Sequence, residues 1–280
     1  MQVQTRLADQ DYVLATMNYL DDSETAPQSY ISRPGSGQPE RRPKQVAHEV
    51  AIQDARIAGS LGLDAQGFEV VRHRSRVGNF YDPEEVKRVY FPEVEALVKQ
   101  ATGAVRVLVF DHNVRNKTRA DQAADGARQP VTRVHNDYTE KSGPQRVRDL
   151  LPAEEAEELL RHRFAVVNVW RPIRGPVLDT PLAFCDAASM GAGDFVPTDL
   201  VYDHRVGEVY SVRHNPSHRW YYVPEMQPDE AILLKCYDSA TDGRARFTAH
   251  SAFENPLAPI GAAPRESIEV RTLVFFPPEA

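Results

Sequence analysis

The chain has 280 residues, 41% hydrophobic and 26% charged, with a formal net charge of −7. That length and apolar content suffice for a sizeable core, and the acidic balance argues against a general nucleic-acid-binding surface. Two cysteines are too few for a disulfide framework, no apolar run reaches the ~18 residues of a membrane span, and the polar start MQVQTRLADQ lacks a secretion-signal core. A soluble cytoplasmic protein acting on small molecules is expected, without nucleic-acid or membrane partners; oligomeric state is left open.

Residues 21–46, rich in Pro, Ser, Gly and charge, read as an extended arm or loop. Short strands are expected at 48–56 and 67–75. Residues 82–103 read as a helix. Asp82 caps it, Pro83 suits its first turn, Glu85 completes a capping-box pattern, Pro92 kinks or restarts it, and Gly103 ends it. A strand at 105–114 precedes a polar loop at 117–129, a strand at 131–139 and an acidic-fronted helix at 152–163. Strands follow at 164–173, 181–187, 207–215, 219–226, 230–238, 247–253 and 266–277. Cys185 and Cys236 sit inside two of these apolar runs and read as buried thiols. This density of strands suggests a barrel or sandwich. One domain is expected over 1–280: an arm, short strands and a support helix over 1–104, and a β core over 105–280.

The stretch TRVHNDYT carries the first chemical signal. On a strand, residues i and i+2 share a face, so His135 and Asp137 point together and Asn136 points away. An imidazole beside a carboxylate supplies two ligands of a two-histidine, one-carboxylate iron(II) site. Without a metal, Asp137 would cap a turn and His135 would pair with it. A third ligand must come from elsewhere: His162, His204, His214, His218 or His250. His250, in the β-like run RFTAHSAF late in the chain, is the best placed.

The last strand, RESIEVRTLVFFP, brings a cation. Arg271 would grip a carboxylate through two hydrogen bonds; Arg265 competes with it, and Ser267 adds a hydroxyl. On that strand Ile268, Val270, Thr272 and Val274 share a face suited to outer packing. Glu269, Arg271 and Leu273 share the other, suited to a barrel lumen or to an outward polar face. In NVWRPI, Asn168 and Trp170 point opposite to Arg171; Asn168 is a candidate to orient cosubstrate or substrate, Arg171 to meet an acidic substrate. Tyr210, Arg213 and the cluster Trp220, Tyr221, Tyr222 are candidate pocket walls, or core. The arm carries Tyr30, Arg33, Arg41 and Arg42, a possible cover for the barrel mouth or a solvated segment.

Together RVHND, RVRDLLPAEEAEELLRHRFAVVNVWRPIRGPV, PLAFCDA, LLKCYDS and HSAF followed by PRESIEVRTLVFF resemble a known family. It is the non-haem iron(II)/2-oxoglutarate-dependent dioxygenase-like hydroxylase/desaturase family of fungal and bacterial secondary metabolism, with a cephamycin-cluster component and gibberellin-type desaturases among its members. The resemblance runs from about residue 12 to residue 277. It implies a mainly β fold, a double-stranded β-helix or jelly-roll barrel with flanking helices. It also implies Fe(II) as cofactor, with 2-oxoglutarate and O2 as cosubstrates. Carried onto this chain, the metal ligands are His135, Asp137 and His250, and Arg271, or less favourably Arg265, holds 2-oxoglutarate. Asp137 stands where halogenating relatives carry Ala or Gly, which disfavours halogenation. Hydroxylation, desaturation and oxidative ring closure remain. No G-x-G-x-G loop follows a strand, so a methyl donor has no evident site. The competing readings are a 2-oxoglutarate-independent iron oxidase, a cupin-like metal enzyme and a non-catalytic barrel.

Overall fold

The computed structural model describes residues 11–30, 42–122, 127–203 and 205–278. In chain order the elements begin with β1 (Tyr12–Leu20), β2 (Gln28–Tyr30), β3 (Gln45–Asp54) and β4 (Phe68–Arg72). Then come α1 (Pro83–Glu85), a π-helical turn over Val86–Tyr90, α2 (Phe91–Thr102), β5 (Arg106–Asn116), α3 (Lys117–Asp121) and β6 (His135–Asn136). They are followed by α4 (Ser142–Leu150), α5 (Ala153–Leu159), β7 (Phe164–Pro172), β8 (Leu182–Cys185), β9 (Phe195–Val201) and β10 (Val206–Val212). The chain closes with β11 (Trp220–Tyr222), β12 (Glu230–Asp238), β13 (His250–Ala252) and β14 (Glu266–Phe275).

Two sheets form from these strands. The larger has the order β1-β3-β11-β8-β13-β6-β10-β9-β2, the smaller β4-β12-β7-β14-β5. The larger sheet curls: β1 pairs along its length with β3, yet Asn18 and Leu20 bridge to Arg133 and Arg213 on the far side. The space between the sheets is filled by Phe184 and Tyr221 from one and Val166, Trp170, Ile232, Leu234 and Leu273 from the other. The outer face of the larger sheet buries Met17, Tyr19, Ile52, Cys185, Val212 and Trp220.

A third layer covers the smaller sheet. Val86, Tyr90, Val94 and Val98 recur every four residues, one stripe of a helix. They pack on Val167, Val169, Ile268, Val270 and Val274. β7 is therefore sandwiched on both faces, and all nine of its residues are buried. That explains why FAVVNVWRP is nearly continuous in apolar residues rather than alternating. Asp82 caps the helical segment, its side chain accepting from the N–H groups of Glu84 and Glu85. Glu85 does not close the expected capping box; its carboxylate accepts from the N–H groups of Gly78 and Asn79 at 2.8 and 3.1 Å. The disturbance expected at Pro92 falls one turn earlier, as the π-helical turn in which Phe91 N–H reaches Val86 O. Proline has no N–H for the carbonyl four residues back, and α2 restarts with Pro92 in its first turn. Gly103 ends it at φ 72°, the left-handed conformation that favours glycine.

The sequence expectations need correction in five places. The strand expected at 131–139 is reduced to His135–Asn136. The loop expected at 117–129 opens with α3. Within the arm, Gln28–Tyr30 pairs in parallel with β9, while 31–41, including Arg33 and Arg41, lies outside the described residues. Strands β1 and β9 and helix α4 were not expected. The helix at 152–163 is shorter, Ala153–Leu159. Both cysteines are free and buried, as expected, and burial raises the pKa of both thiols, that of Cys185 to about 12.

Candidate metal centre

β6 and β13 are adjacent and antiparallel, and His135 is registered directly opposite His250. Opposed side chains on one face stand roughly 4.5–5.5 Å apart at Cβ, and the two imidazole centroids are 4.5 Å apart. The chain leaves β6 immediately after Asn136, bringing Asp137 Oδ1 to 3.5 Å from His135 Nε2. One potential ligand atom from each of His135, Asp137 and His250 lies within 4.8 Å of the others. Among the described residues this is the one such cluster of three or more.

Asn136, pointing the other way and fully buried, holds this geometry. Its Nδ2 donates to the carbonyls of Tyr138 at 2.7 Å and Cys236 at 2.8 Å, and its Oδ1 accepts from Thr248 N–H at 3.2 Å. One amide thus ties the segment bearing His135 and Asp137 to the strand that delivers His250 two residues later.

The protonation state suits a metal. Each imidazole has Nδ1 against a backbone carbonyl, His135 on Arg133 O at 2.9 Å and His250 on Thr248 O at 3.0 Å. A carbonyl only accepts, so Nδ1 carries the proton and Nε2 presents its lone pair to the cluster. Burial, and then the neighbouring His250, push His135 down to about 4, so it is neutral at ordinary pH. Burial opposes the charge on Asp137, but Arg271 and His135 outweigh it and hold the carboxyl well below its usual range. Asp137 Oδ2 accepts from Asn168 Nδ2 at 2.8 Å and Arg271 Nε at 3.0 Å, leaving Oδ1 turned to the imidazoles. Two imidazole nitrogens and one anionic carboxylate oxygen, already oriented, fit a divalent transition metal.

The inner face of the smaller sheet continues the site. Cross-strand register aligns Asn168, Arg271 and Asp111 in one row, Trp170, Glu269 and Asn113 in the next, and Pro172, Ser267 and Arg115 in the third. The lumen assignment of Glu269 and Arg271 is what is seen, as is the outer packing of Ile268, Val270 and Val274. Arg271 is fully engaged: besides Asp137 it meets Asp111 at 2.9 Å and Glu269 at 3.0 Å. Arg265 is different. It is buried, donates to the Thr180 carbonyl at 2.7 Å, lies over the Trp170 ring at 5.4 Å and has an Nε without a partner. Burial, and then the charge of Arg115, pull its pKa down to about 9. Ser267 Oγ and Asn168 Oδ1 are also buried without partners. The metal cluster, Trp170, Arg115, Arg265 and Glu269 line one narrow cleft. A second cavity of about 1160 Å³ shares Asp137 and Arg271 with that cleft and is walled by β5, α4, β9 and β10.

Four sequence candidates stand elsewhere. Arg171 is on the opposite face of β7, donating to the carbonyls of His73 and Pro228 between the rings of Phe80 and Tyr90. Trp220 is in the outer core, its Nε1 donating to Tyr19 OH at 2.7 Å. Arg213 donates to the Glu24 carbonyl. Tyr210 packs among Phe195 and Phe247 and lines neither cavity. These four alternate or end strands in ways that sequence alone cannot aim. Of the other histidines, His162 lies beside Glu158, His214 stacks on His48 at 3.9 Å and His218 bonds Asp194; His204 lies outside the described residues. Sequence reasoning missed Arg115 and Asn136, and for Arg115 the signal was the polar alternation Asp111, Asn113, Arg115.

A two-sheet β barrel with two imidazoles and one carboxylate converging in its lumen is the architecture of non-haem iron(II) oxygenases. Comparison with known proteins agrees. A family model described as "Oxidoreductase/YMDC permease-like domain" matches residues 17–275. Hydroxylase/desaturase efuI of Hormonema carpetanum is 36% identical over 94% of this chain and 95% of its own length. The Fe(II)/2-oxoglutarate-dependent dioxygenase nvfI of Aspergillus novofumigatus is 34% identical over 88% of this chain and 90% of its own. The solved structure of the iron and alpha-ketoglutarate-dependent endoperoxidase NvfI superposes with a TM-score of 0.85 at 30% identity, covering 95% of this chain and 98% of that one. The chain belongs to the hydroxylase/desaturase family of Fe(II)/2-oxoglutarate-dependent dioxygenases.

Proposed function

We propose that His135, Asp137 and His250 hold iron(II) and that the protein hydroxylates or desaturates a small secondary metabolite seated in the cavity of about 1160 Å³. The observation that carries this is the donor set: two Nε2 atoms fixed by backbone carbonyls and one Oδ1 fixed through its sister oxygen. When bound, the iron supplies dioxygen activation and the oxidising power to break an unactivated C–H bond. The chain's own residues supply geometry. Asn168 and Arg271 hold Asp137 against rotation, and the backbone carbonyls of Arg133 and Thr248 hold the rings. His135, Asp137 and His250 all line the narrow cleft, and Asp137 lines the large cavity as well.

Arg265 and Ser267 are the residues we assign to the distal carboxylate of 2-oxoglutarate, in place of Arg271. Arg271 already answers three carboxylates, whereas Arg265 Nε and Ser267 Oγ are buried and unpartnered. The cleft encloses about 20 Å³, so its wall has to open for the cosubstrate to enter. Residues 1–280 would work as one domain, and the net charge of −7 fits a small-molecule rather than a nucleic-acid partner. A cytoplasmic setting belongs to the same proposal, resting on the two free thiols. No helix among the described residues is long and apolar enough to cross a membrane.

The test is product stoichiometry. Iron-loaded protein given 2-oxoglutarate, dioxygen and ascorbate as the source of the remaining two electrons should release one succinate per 2-oxoglutarate consumed, and Asp137→Ala should release none above the buffer rate. Iron binding without any succinate would replace this reading with an oxidase that takes its electrons from substrate alone.

A further inference from the structure

A separate cavity of about 400 Å³ opens at one end of the smaller sheet, a volume that suits a small ligand. Its wall includes Arg74, Asn79, Phe80, Arg171, Ile173 and Pro228, and none of the three candidate metal ligands. Arg171 faces it because neighbours on a strand alternate: Trp170 lines the lumen cleft and Arg171 turns the other way. Phe80 and Tyr81 line the large cavity as well, so the two cavities share part of a wall.

Arg171 is 1% exposed, yet among the described residues no carboxylate stands within ion-pair distance of it. Its terminal nitrogens donate to the carbonyls of His73, at 2.8 Å, and of Pro228, and one lies 3.3 Å from His73 Nδ1; its Nε has no partner. Carbonyls satisfy N–H groups without neutralising the charge, and a buried charge is costly unless paired. The hydroxyl of Tyr90, whose ring centre is 5.6 Å from the guanidinium, is also buried without a partner. Arg74 is exposed and has neither a hydrogen bond nor an ion pair among the described residues. The carboxylates around the cavity are all engaged. Asp229, on its wall, lies 3.1 Å from Arg72. Glu93, which also faces His73 and Tyr90, accepts from Ser75 Oγ and from Arg76 N–H and Nε. Glu85 accepts from Gly78 and Asn79 N–H, Glu266 from Tyr81 OH with Arg174 at 3.8 Å, and Glu230 lies 2.5 Å from Arg56.

We propose that this cavity is a second binding site, for a small organic acid whose carboxylate meets Arg74 and Arg171 and whose apolar body lies against Phe80, Ile173 and Pro228. The carboxylate supplies the counter-charge that Arg171 lacks, and guanidinium groups receive carboxylates through charge-assisted hydrogen bonds. Asn79 adds a donor: its Oδ1 accepts from Tyr81 N–H at 3.0 Å, which leaves its Nδ2 for a ligand. The apolar part of the wall favours an acid carried on a ring or short chain over a bare inorganic anion, which has no apolar surface to bury. Occupancy requires neither iron nor cosubstrate, so the proposal stands apart from the reading of the lumen.

The experiment is an amide NMR titration of the full chain with benzoate, a carboxylate on a ring. The protein is kept metal-free so that lumen iron offers the acid no rival site. Benzyl alcohol, the ring without the charge, and inorganic phosphate, a charge without the ring, are titrated alongside. Benzoate should shift the amide signals of Gly78, Asn79, Phe80 and Ile173 saturably, and each half-ligand should bind about tenfold more weakly or worse. Arg74→Met should weaken benzoate by about tenfold, as expected for loss of a charged hydrogen-bond partner. Arg265→Met, in the lumen, should leave it within about twofold of wild type. If Arg74→Met does not fold, Arg74→Gln in the same titration decides. The proposal is overturned by benzoate shifts confined to lumen signals such as Ser251 and Glu269, or by no saturable shift at all. It is equally overturned by an affinity indifferent to Arg74, or by benzyl alcohol or phosphate binding as tightly as benzoate.

Discussion

Replacing Arg271 by Met separates its two candidate roles. Its guanidinium lies 3.0 Å from Asp137, 3.0 Å from Glu269 and 2.9 Å from Asp111, with only 18% of the side chain exposed. Asp137 and Glu269 are themselves 11% and 7% exposed. Methionine matches the length and removes the charge, leaving two nearly buried carboxylates side by side. Breaking a buried pair by deleting one partner costs about 3–5 kcal/mol, because the abandoned charge stays desolvated. Asp111, being 48% exposed, adds little. We expect a loss of about 3–5 kcal/mol in metal-free protein, read as a lower midpoint in urea with an unchanged slope. Iron(II) should recover much of it, because the metal supplies the positive charge that Asp137 has lost and stabilises the folded state by linkage. 2-Oxoglutarate affinity, measured with metal present, should change less than in Arg265→Met. A metal-free protein of wild-type stability would refute the electrostatic reasoning. A 2-oxoglutarate affinity destroyed by Arg271→Met and untouched by Arg265→Met would return the clamp to Arg271.

Further expectations follow from the surroundings. Asn136→Ala strands two carbonyls and one N–H in the interior and should cost about 2–4 kcal/mol at roughly 1–3 kcal/mol per unpaired group with partial relaxation; thermal unfolding and iron affinity should fall together. Gly67→Ala puts a Cβ 2.2 Å from Thr248 Oγ1 at a backbone φ of +86°, two residues before His250, and should cost at least about 2 kcal/mol by denaturant unfolding. Glu93 accepts from Ser75 Oγ and from Arg76 N–H and Nε. Burial opposes its charge, but these donors prevail and hold its pKa below the usual 4.5. A depressed carboxyl stabilises the fold above the unfolded value and loses that contribution as pH falls through the folded one. Glu93→Gln should therefore flatten the stability–pH curve below pH 4.5, and an unchanged slope there would contradict the assignment.

The candidate triad was legible because its signal is local or chemically rare. His135 and Asp137 come together as expected, although Asp137 does so from the bend just past the two-residue β6 rather than by the strand period, and His250 lies in a run with strong β character. The last strand was also legible, since Ile268, Val270 and Val274 alternate cleanly with Ser267, Glu269 and Arg271. What stayed hidden depended on partners far along the chain. β1 exposes Tyr12 and Leu14 and buries Ala15 and Met17, so its alternation is not one of polarity. β9 contains Pro197, which cannot donate to a ladder; the structure tolerates it because β2 pairs only with Asp199–Val201. α4 carries Gly143 and Pro144 and few apolar residues, yet it packs so closely that a Cβ on Gly143 would fall 2.7 Å from the Tyr237 ring. The choice between Arg265 and Arg271 depended on their partners: Arg265 stands buried just before β14 and Arg271 half-buried within it, and the carboxylates around Arg271 distinguish them.

The most direct measurement is an anaerobic titration of metal-free protein with iron(II) and then 2-oxoglutarate, followed by the weak visible metal-to-ligand charge-transfer absorption. The account predicts that the band forms with wild type at one equivalent of each, and that it is lost in Asp137→Ala and His250→Ala. A band that persists in both variants, or iron that binds without ever producing one, would contradict it.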